Sequence, residues 1–323
     1  MHVPVLLKEM VHALQPRSGG IYLDGTLGAG GYALAILEAS APDGRVVALD
    51  LDPDAVARSL PLAQRFGERF CAVHGGFHQA AEILSSLGLE RLDGAVLDLG
   101  LSSDQLEDPQ RGFSIRNEGP LDMRFDTTAG ETLLDYLEHA SLRELERILA
   151  EYGEERHARK VARAVTRSQD RGELRTTRDL AEVVRHAIPG PRSKIHPATR
   201  AFQALRIAVN RELERLAEAL RMIPPLLRLG GRFCVVSYHS LEDRMVKTAF
   251  RDFSRDPGQW SLVTRKPLRP SAEEVQANPR SRSARMRVLE ALGEQHKPRI
   301  PSSPRPLPQG GEGLRRTTGE PAR

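Results

Sequence analysis

Between residues 20 and 99, short apolar runs alternate with segments whose apolar positions recur every three or four residues, the pattern of strands followed by helices. Residues 20–24, 44–50, 69–73 and 92–99 read as strands. Residues 32–40, 54–65 and 78–87 read as the helices between them, the second announced by Asp52-Pro53. A fifth strand, 232–238, comes much later. Such alternation predicts a parallel α/β sheet. Between the fourth and fifth strands the period turns helical, so residues 108–212 read as an inserted all-helical subdomain. Ser141 and Glu144 form a capping box before Leu142, Leu145, Ile148, Leu149 and Tyr152. Ala158, Val161, Ala162 and Val165 make the next stripe, with Arg156, Arg159, Lys160, Arg163 and Arg167 off it, and Thr176 or Thr177 caps a third helix. A longer helix follows His196-Pro197, and residues 260–266 and 285–292 supply short apolar segments to close the sheet. From Lys297 the Pro/Gly/Arg-rich chain lacks core-forming residues. The expected division is therefore 1–107 plus 213–296, an insertion 108–212, and a disordered tail 297–323.

Composition changes this picture little. With 323 residues, 40% hydrophobic and 28% charged, the chain can bury a sizeable core. No apolar run approaches the ~20 residues of a membrane span, and residues 1–10 lack the pattern of a signal peptide, so a cytoplasmic location is expected. Cys71 and Cys234 sit in separate apolar segments and read as reduced core residues. Charge is more telling. Residues 1–153 hold 12 Lys/Arg against 24 Asp/Glu, whereas 154–215 hold 15 against 8. That asymmetry points to a polyanionic partner for the second half of the chain, competing with the reading of a merely solvated surface.

The candidate chemistry starts at Gly25-Thr-Leu-Gly-Ala-Gly-Gly31, a glycine-rich turn between a strand and a helix, where backbone can approach a ligand closely. Asp50 ends the next strand, placed to accept hydrogen bonds from two ribose hydroxyls. The turn also satisfies a loose G-x-G-x-x-A pattern, which leaves a nicotinamide-dependent oxidoreductase open. Against it, none of Tyr22, Tyr32, Tyr136, Tyr152 and Tyr238 has a lysine four residues on. Asp24, beside the turn, would repel a pyrophosphate but suit a cationic sulfonium. No phosphate-cradling P-loop is present, and His74 with His78 lacks a third ligand, so no metal is expected.

Eight segments then resemble one family: His2 to Leu7, Asp24 to Gly31, Asp98-Leu-Gly-Leu-Ser-Ser-Asp-Gln105, Arg111-Gly-Phe-Ser114, Gly119-Pro-Leu-Asp-Met-Arg124, His196 to Gln203, Ser237-Tyr-His-Ser-Leu-Glu-Asp-Arg244 and Asn278 to Ala284. In order and spacing they are similar to the MraW/RsmH family, from His2 to about Leu292. The resemblance implies a Rossmann-like class I methyltransferase sheet with an inserted helical subdomain. It implies S-adenosyl-L-methionine as cofactor, 16S ribosomal RNA in the small subunit as partner, and N4-methylation of cytidine 1402. It further implies that Gly30, Gly31 and Tyr32 meet the cofactor's methionine part, Asp50 its ribose, Phe77 its adenine surroundings, and Asp98 and Gln105 its remaining polar groups. Tyr32 stands where the family leads one to expect histidine, so its contact is expected through the backbone.

Each of these residues has a plainer competitor. Phe77 could be core and Gln105 a surface-loop residue. Asp98 sits at the carboxyl end of the fourth strand, where open α/β sheets bind ligands. The almost non-basic cytosine amine needs acceptors for its hydrogens rather than a strong base. Asp98, Ser102 and Ser103 are candidates, although the Pro-Pro-aromatic run of many amine methyltransferases is missing. His239 is a candidate for the released proton, or a structural residue. Arg200, Gln203, Arg206 and Asn210 read either as a solvated helix face or as phosphate contacts. A non-catalytic RNA-binding protein is the third reading, opposed by the intact turn and its acidic partner.

Overall fold

All seven expected strand segments form strands in the computed structural model, which describes residues 4–188 and 196–293. They are β1 (Ile21–Asp24), β2 (Arg45–Asp50), β3 (Phe70–His74), β4 (Leu92–Asp98), β5 (Leu227–Ser237), β6 (Trp260–Leu262) and β7 (Arg285–Ala291). One sheet of order β3-β2-β1-β4-β5-β7-β6 contains them all. β1 to β5 run parallel, and β7 is antiparallel to both neighbours. His2 and residues 297–323 lie outside the described residues. Among the described residues no helix is long and apolar enough to cross a membrane.

Side-chain alternation splits the strands between two apolar layers, because successive residues point to opposite faces. Leu23, Val47, Leu97, Phe233 and Val235 face one way, against α5 (Ala80–Ser86), α12 (Glu212–Met222) and α13 (Ser240–Phe253). Tyr22, Val46, Val96, Cys234 and Val236 face the other, against α1 (Leu7–Leu14) and α2 (Gly31–Ala39). Cys234 is fully buried, but Cys71 is only half-buried, because β3 is an edge strand with one neighbour.

Two helices differ from expectation. The segment 54–65 breaks into α3 (Pro53–Arg58) and α4 (Leu60–Phe66), since Pro61 has no N–H for a continuous helix. The segment 78–87 opens with a 3-10 turn, Phe77–Gln79, and becomes α-helical only at Ala80. The short α6 (Ser103–Glu107) follows β4.

The chain between β4 and β5 then adds α7 (Leu133–His139), α8 (Leu142–Glu151), α9 (Ala158–Asp170), α10 (Thr177–Ala187) and α11 (Thr199–Asn210). Their apolar stripes meet in a cluster made only of residues 113–205, with Leu145, Val161, Leu180 and Leu205 fully buried. Ser141 caps α8 by accepting from Glu144 N, but the Glu144 carboxylate takes the Tyr136 hydroxyl at 2.8 Å rather than closing the capping box. Thr176, not Thr177, caps α10. The helix after His196-Pro197 stops at Arg211, whose left-handed φ of 49° turns the chain into α12. A last helix, α14 (Ala272–Ala277), precedes β7.

Candidate functional site

The carboxyl ends of β1, β2, β4 and β5 lie side by side, and a cleft of about 1100 Å³ opens over them. Its far wall is the helical segment, through Phe113, Phe125, Phe202, Gln203 and Arg206. That volume exceeds the ~300–1,000 Å³ of ordinary small-ligand pockets, leaving room for a second molecule beside a cofactor.

The turn after β1 forms one lip. Gly28 and Gly30 hold φ of +50° and +78°, values a side chain would strain, and a Cβ on Gly30 would fall 2.6 Å from Leu62 Cδ1. Asp50 at the end of β2 accepts from Gly28 N at 2.8 Å and from Asp52 N at 2.9 Å, which fixes its carboxylate toward the turn. Burial raises the Asp50 pKa. Tyr32 is buried, and its hydroxyl donates to the Val5 carbonyl, so its side chain braces the N-terminal segment. Phe77 is half-buried on the cleft wall, just after β3.

Two further carboxylates stand at the carboxyl ends of β1 and β4, Asp98 lining the cleft and Asp24 buried behind its lining. Asp24 is fully buried, with Oδ1 accepting from Thr26 N at 3.1 Å and Oδ2 without any hydrogen-bond partner. Asp98 lines the cleft, and its Oδ1 accepts from the Tyr238 hydroxyl at 2.8 Å. Burial pushes both carboxyls up to about 7, Asp50 adding repulsion at Asp24, and Asp24 and Glu242 adding it at Asp98. Among the described residues neither acid is paired with a Lys, Arg or His. Unneutralised carboxylates beneath a nucleotide-type turn fit a cationic ligand and oppose a pyrophosphate. A sulfonium with an ammonium group meets that requirement, and the nicotinamide reading does not.

Sequence position alone misplaced several partners. Gln105 is buried and engaged: its Nε2 donates to Asp52 Oδ2 at 3.1 Å, and its Oε1 accepts from Ser102 N at 3.1 Å. Asp52 also accepts from Arg111 Nη1 at 2.7 Å, and Arg111 Nη2 donates to the carbonyls of Arg124 and Phe125. This buried pair ties the sheet to the segment after α6. The α11 stripe is not a set of free side chains, and of its four residues only Arg200 is exposed. Arg206 makes a two-pronged pair with Glu212 at 2.8 and 2.9 Å, and Gln203 donates to the Tyr152 carbonyl. Asn210, buried, donates to Met123 O and accepts from Phe125 N. Arg200 donates to the Glu154 carbonyl.

His239 is the N-cap of α13, and its Nε2 lies 3.0 Å from Glu242 Oε1. Burial opposes charge on Glu242, yet His239, the Tyr238 N–H and Arg206 together hold its carboxyl below the usual range. The residues that sequence reasoning passed over are Tyr238, Asp52, Arg111 and Glu242. Asp52 and Glu242 left local signals, Asp52-Pro53 as a helix start and His-x-x-Glu as a capping motif.

Fold and cleft together define the class: an S-adenosyl-L-methionine-dependent methyltransferase of class I. The MraW methylase family model matches residues 1–292, and the chain belongs to that family. Relatives from Thermomicrobium roseum and Syntrophotalea carbinolica, each named Ribosomal RNA small subunit methyltransferase H, are 48% identical over 305 residues and 47% identical over 308. Each alignment covers 90% of this chain, with 94% and 98% of those proteins. A solved rRNA methylase from Streptococcus thermophilus is 12% identical with a TM-score of 0.40, covering 89% of this chain and 94% of that one.

Proposed function

We propose that the protein methylates small-subunit 16S ribosomal RNA in the cytoplasm, forming N4-methylcytidine at position 1402. The observation that supports the cofactor half is the pair of unneutralised acids, Asp24 and Asp98, under the glycine turn. In this reading residues 1–107 and 213–296 hold S-adenosylmethionine, and residues 108–212 hold RNA. Gly31 and the Tyr32 backbone border the methionine part, with Gly30 buried behind them in the turn, Asp50 borders the ribose and Phe77 the adenine. Gln105 acts by shaping the α6 turn through Ser102 and Asp52. When bound, the cofactor supplies a methyl group on a sulfonium sulfur, an electrophile that an amine can take up.

The chain's part is orientation and proton acceptance. The cytosine amine must stand in line with the methyl, and Asp98 Oδ2, the oxygen not engaged by Tyr238, accepts its hydrogen and then its proton. This reading gives the proton to Asp98 rather than to His239, which caps α13 with its Nδ1 and also lines the cleft. The cytidine must be unstacked to enter, and the room beyond the cofactor receives it.

RNA is held by the exposed side of α9. Arg159, Lys160, Arg163 and Arg167 are exposed, and none is ion-paired among the described residues. Lys160, Arg163, Arg167 and Arg171 border a groove of about 600 Å³ against His186 of α10. The unpaired cations among them, Lys160, Arg163 and Arg167, suit phosphate contacts. The test is transfer of labelled methyl from S-adenosylmethionine to small subunits, followed by nucleoside analysis. Label in N4-methylcytidine supports the proposal, and label confined to another nucleoside ends it.

A further inference from the structure

The motif Ser237-Tyr-His-Ser-Leu-Glu242 has a geometric result that the cofactor site does not require. It brings a phenol onto Asp98. β4 and β5 are parallel neighbours with Asp98 opposite Val236, so their carboxyl ends emerge together. Tyr238 Oη then donates to Asp98 Oδ1 at 2.8 Å, joining residues 140 apart in sequence. Its ring lies over Gly100, where φ is +115° and a Cβ would stand 3.4 Å from Tyr238 Cδ2. A side chain at Gly100 would be strained in itself and would crowd the ring.

The backbone behind the ring is fixed as well. Tyr238 N donates to Glu242 Oε2 at 2.9 Å, His239 N to the same oxygen at 3.3 Å, and the His239 ring sits 3.0 Å from Oε1. Glu242 and His239 are thereby occupied in holding the start of α13. The one group of this motif aimed at Asp98 is the Tyr238 hydroxyl.

We infer that Tyr238 is a positioning residue for methyl transfer: its hydroxyl engages Asp98 Oδ1, leaves Oδ2 as the acceptor offered to the substrate amine, and favours the ionised carboxylate. The inference rests on the reading of Asp98 as proton acceptor. The ionisable groups around Asp98 make such help necessary. Asp24 comes from β1, Glu242 from α13 and Tyr32 from α2, all acids or phenols, with Asp50 of β2 behind Asp24. Burial and the neighbouring acids push the Asp98 carboxyl up, and the Tyr238 hydrogen bond is the influence that pulls it down.

The experiment measures kcat on saturating small subunits from pH 6 to 9, together with cofactor affinity and thermal melting, for wild type, Tyr238→Phe, Asp98→Asn and the double variant. Tyr238→Phe removes one oxygen and keeps the ring. Hydrogen bonds to charged groups are worth enough to move a titration by about one unit, so for a carboxyl titrating at about 7 kcat should fall about fivefold at pH 7 and about ninefold at pH 6. The acid limb should move to higher pH, so that the deficit narrows as pH rises. In the Asp98→Asn background Tyr238→Phe should add almost nothing, because the two act on one carboxylate. Unchanged kcat in a folded Tyr238→Phe, a uniform loss at every pH, or losses that multiply in the double variant would overturn the inference. A fully active Asp98→Asn would instead overturn the assignment of Asp98 itself.

Discussion

Cofactor binding should release protons and tighten as pH rises through neutrality. In the free protein Asp24 and Asp98 both titrate at about 7, raised chiefly by burial. Their unfolded value is 3.8, so folding favours the protonated forms. Their contribution to stability is present at low pH and is lost as pH climbs from about 4 through 7. For one carboxylate the loss amounts to about 4 kcal/mol, as an order of magnitude. A cationic ligand reverses the preference, because it binds the ionised pair and depresses both pKa values. For one group titrating at 7, the ionised fraction rises from about 3% at pH 5.5 to about half at pH 7, so apparent affinity should rise about 15-fold. The two acids repel each other and titrate as a pair, which makes the total larger and spreads it over pH. The range stops near pH 7.5, where an α-ammonium begins to lose its own proton at about 7.7–8.0. Calorimetry at pH 5.5, 6.25 and 7, in buffers of different ionisation enthalpy, gives both the affinity and the proton count. About half a proton per carboxylate should leave at pH 7, and Asp98→Asn should reduce the total. Affinity that is flat or weakens with rising pH, or proton uptake on binding, would refute the placement of a cation over these acids.

Asp50→Ala should weaken cofactor binding by about 1.5–3 kcal/mol, the scale of hydrogen bonds to a charged group, and calorimetry at pH 7 checks it. Because Asp50 also holds Gly28 N and Asp52 N, a modest drop in melting temperature should accompany that loss. Neutralising Arg159, Lys160, Arg163 and Arg167 together should weaken subunit binding at unchanged cofactor affinity. Each lost phosphate contact should flatten the salt dependence by about 0.9 log–log units on duplex or about 0.7 on single strands. Equal affinities and parallel slopes would remove α9 from the RNA interface. Arg111→Met leaves the buried Asp52 with only the more distant Arg58, at 4.0 Å, and should cost about 3 kcal/mol in denaturant unfolding, whereas a loss under 1 kcal/mol would mean that the pair does not tie the segments together.

What could be read along the chain was whatever one element settles by itself. The apolar runs in residues 44–50 and 69–73 marked strands, and the glycines before α2 marked a turn that only positive φ can make. Pro61 was a visible helix breaker whose effect on residues 54–65 the periodicity concealed. The site itself needed partners brought together by topology. Nothing near Tyr238 in sequence points to Asp98, and nothing near Asp52 points to Arg111. The α11 stripe shows the same limit. Helical spacing put Arg206 and Asn210 on one face, but only the turn at Arg211 and the loop at Met123–Phe125 show that both are already engaged.

The most direct test of the central claim is mass mapping of 16S ribosomal RNA nucleosides from cells lacking this gene, and from the same cells supplied with wild-type or Asp98→Asn protein. The N4-methyl group of cytidine 1402 should be absent without the gene, return with wild type and not return with Asp98→Asn. An N4-methyl group at that cytidine in cells without the gene, with a methyl missing from some other nucleoside instead, would contradict that claim.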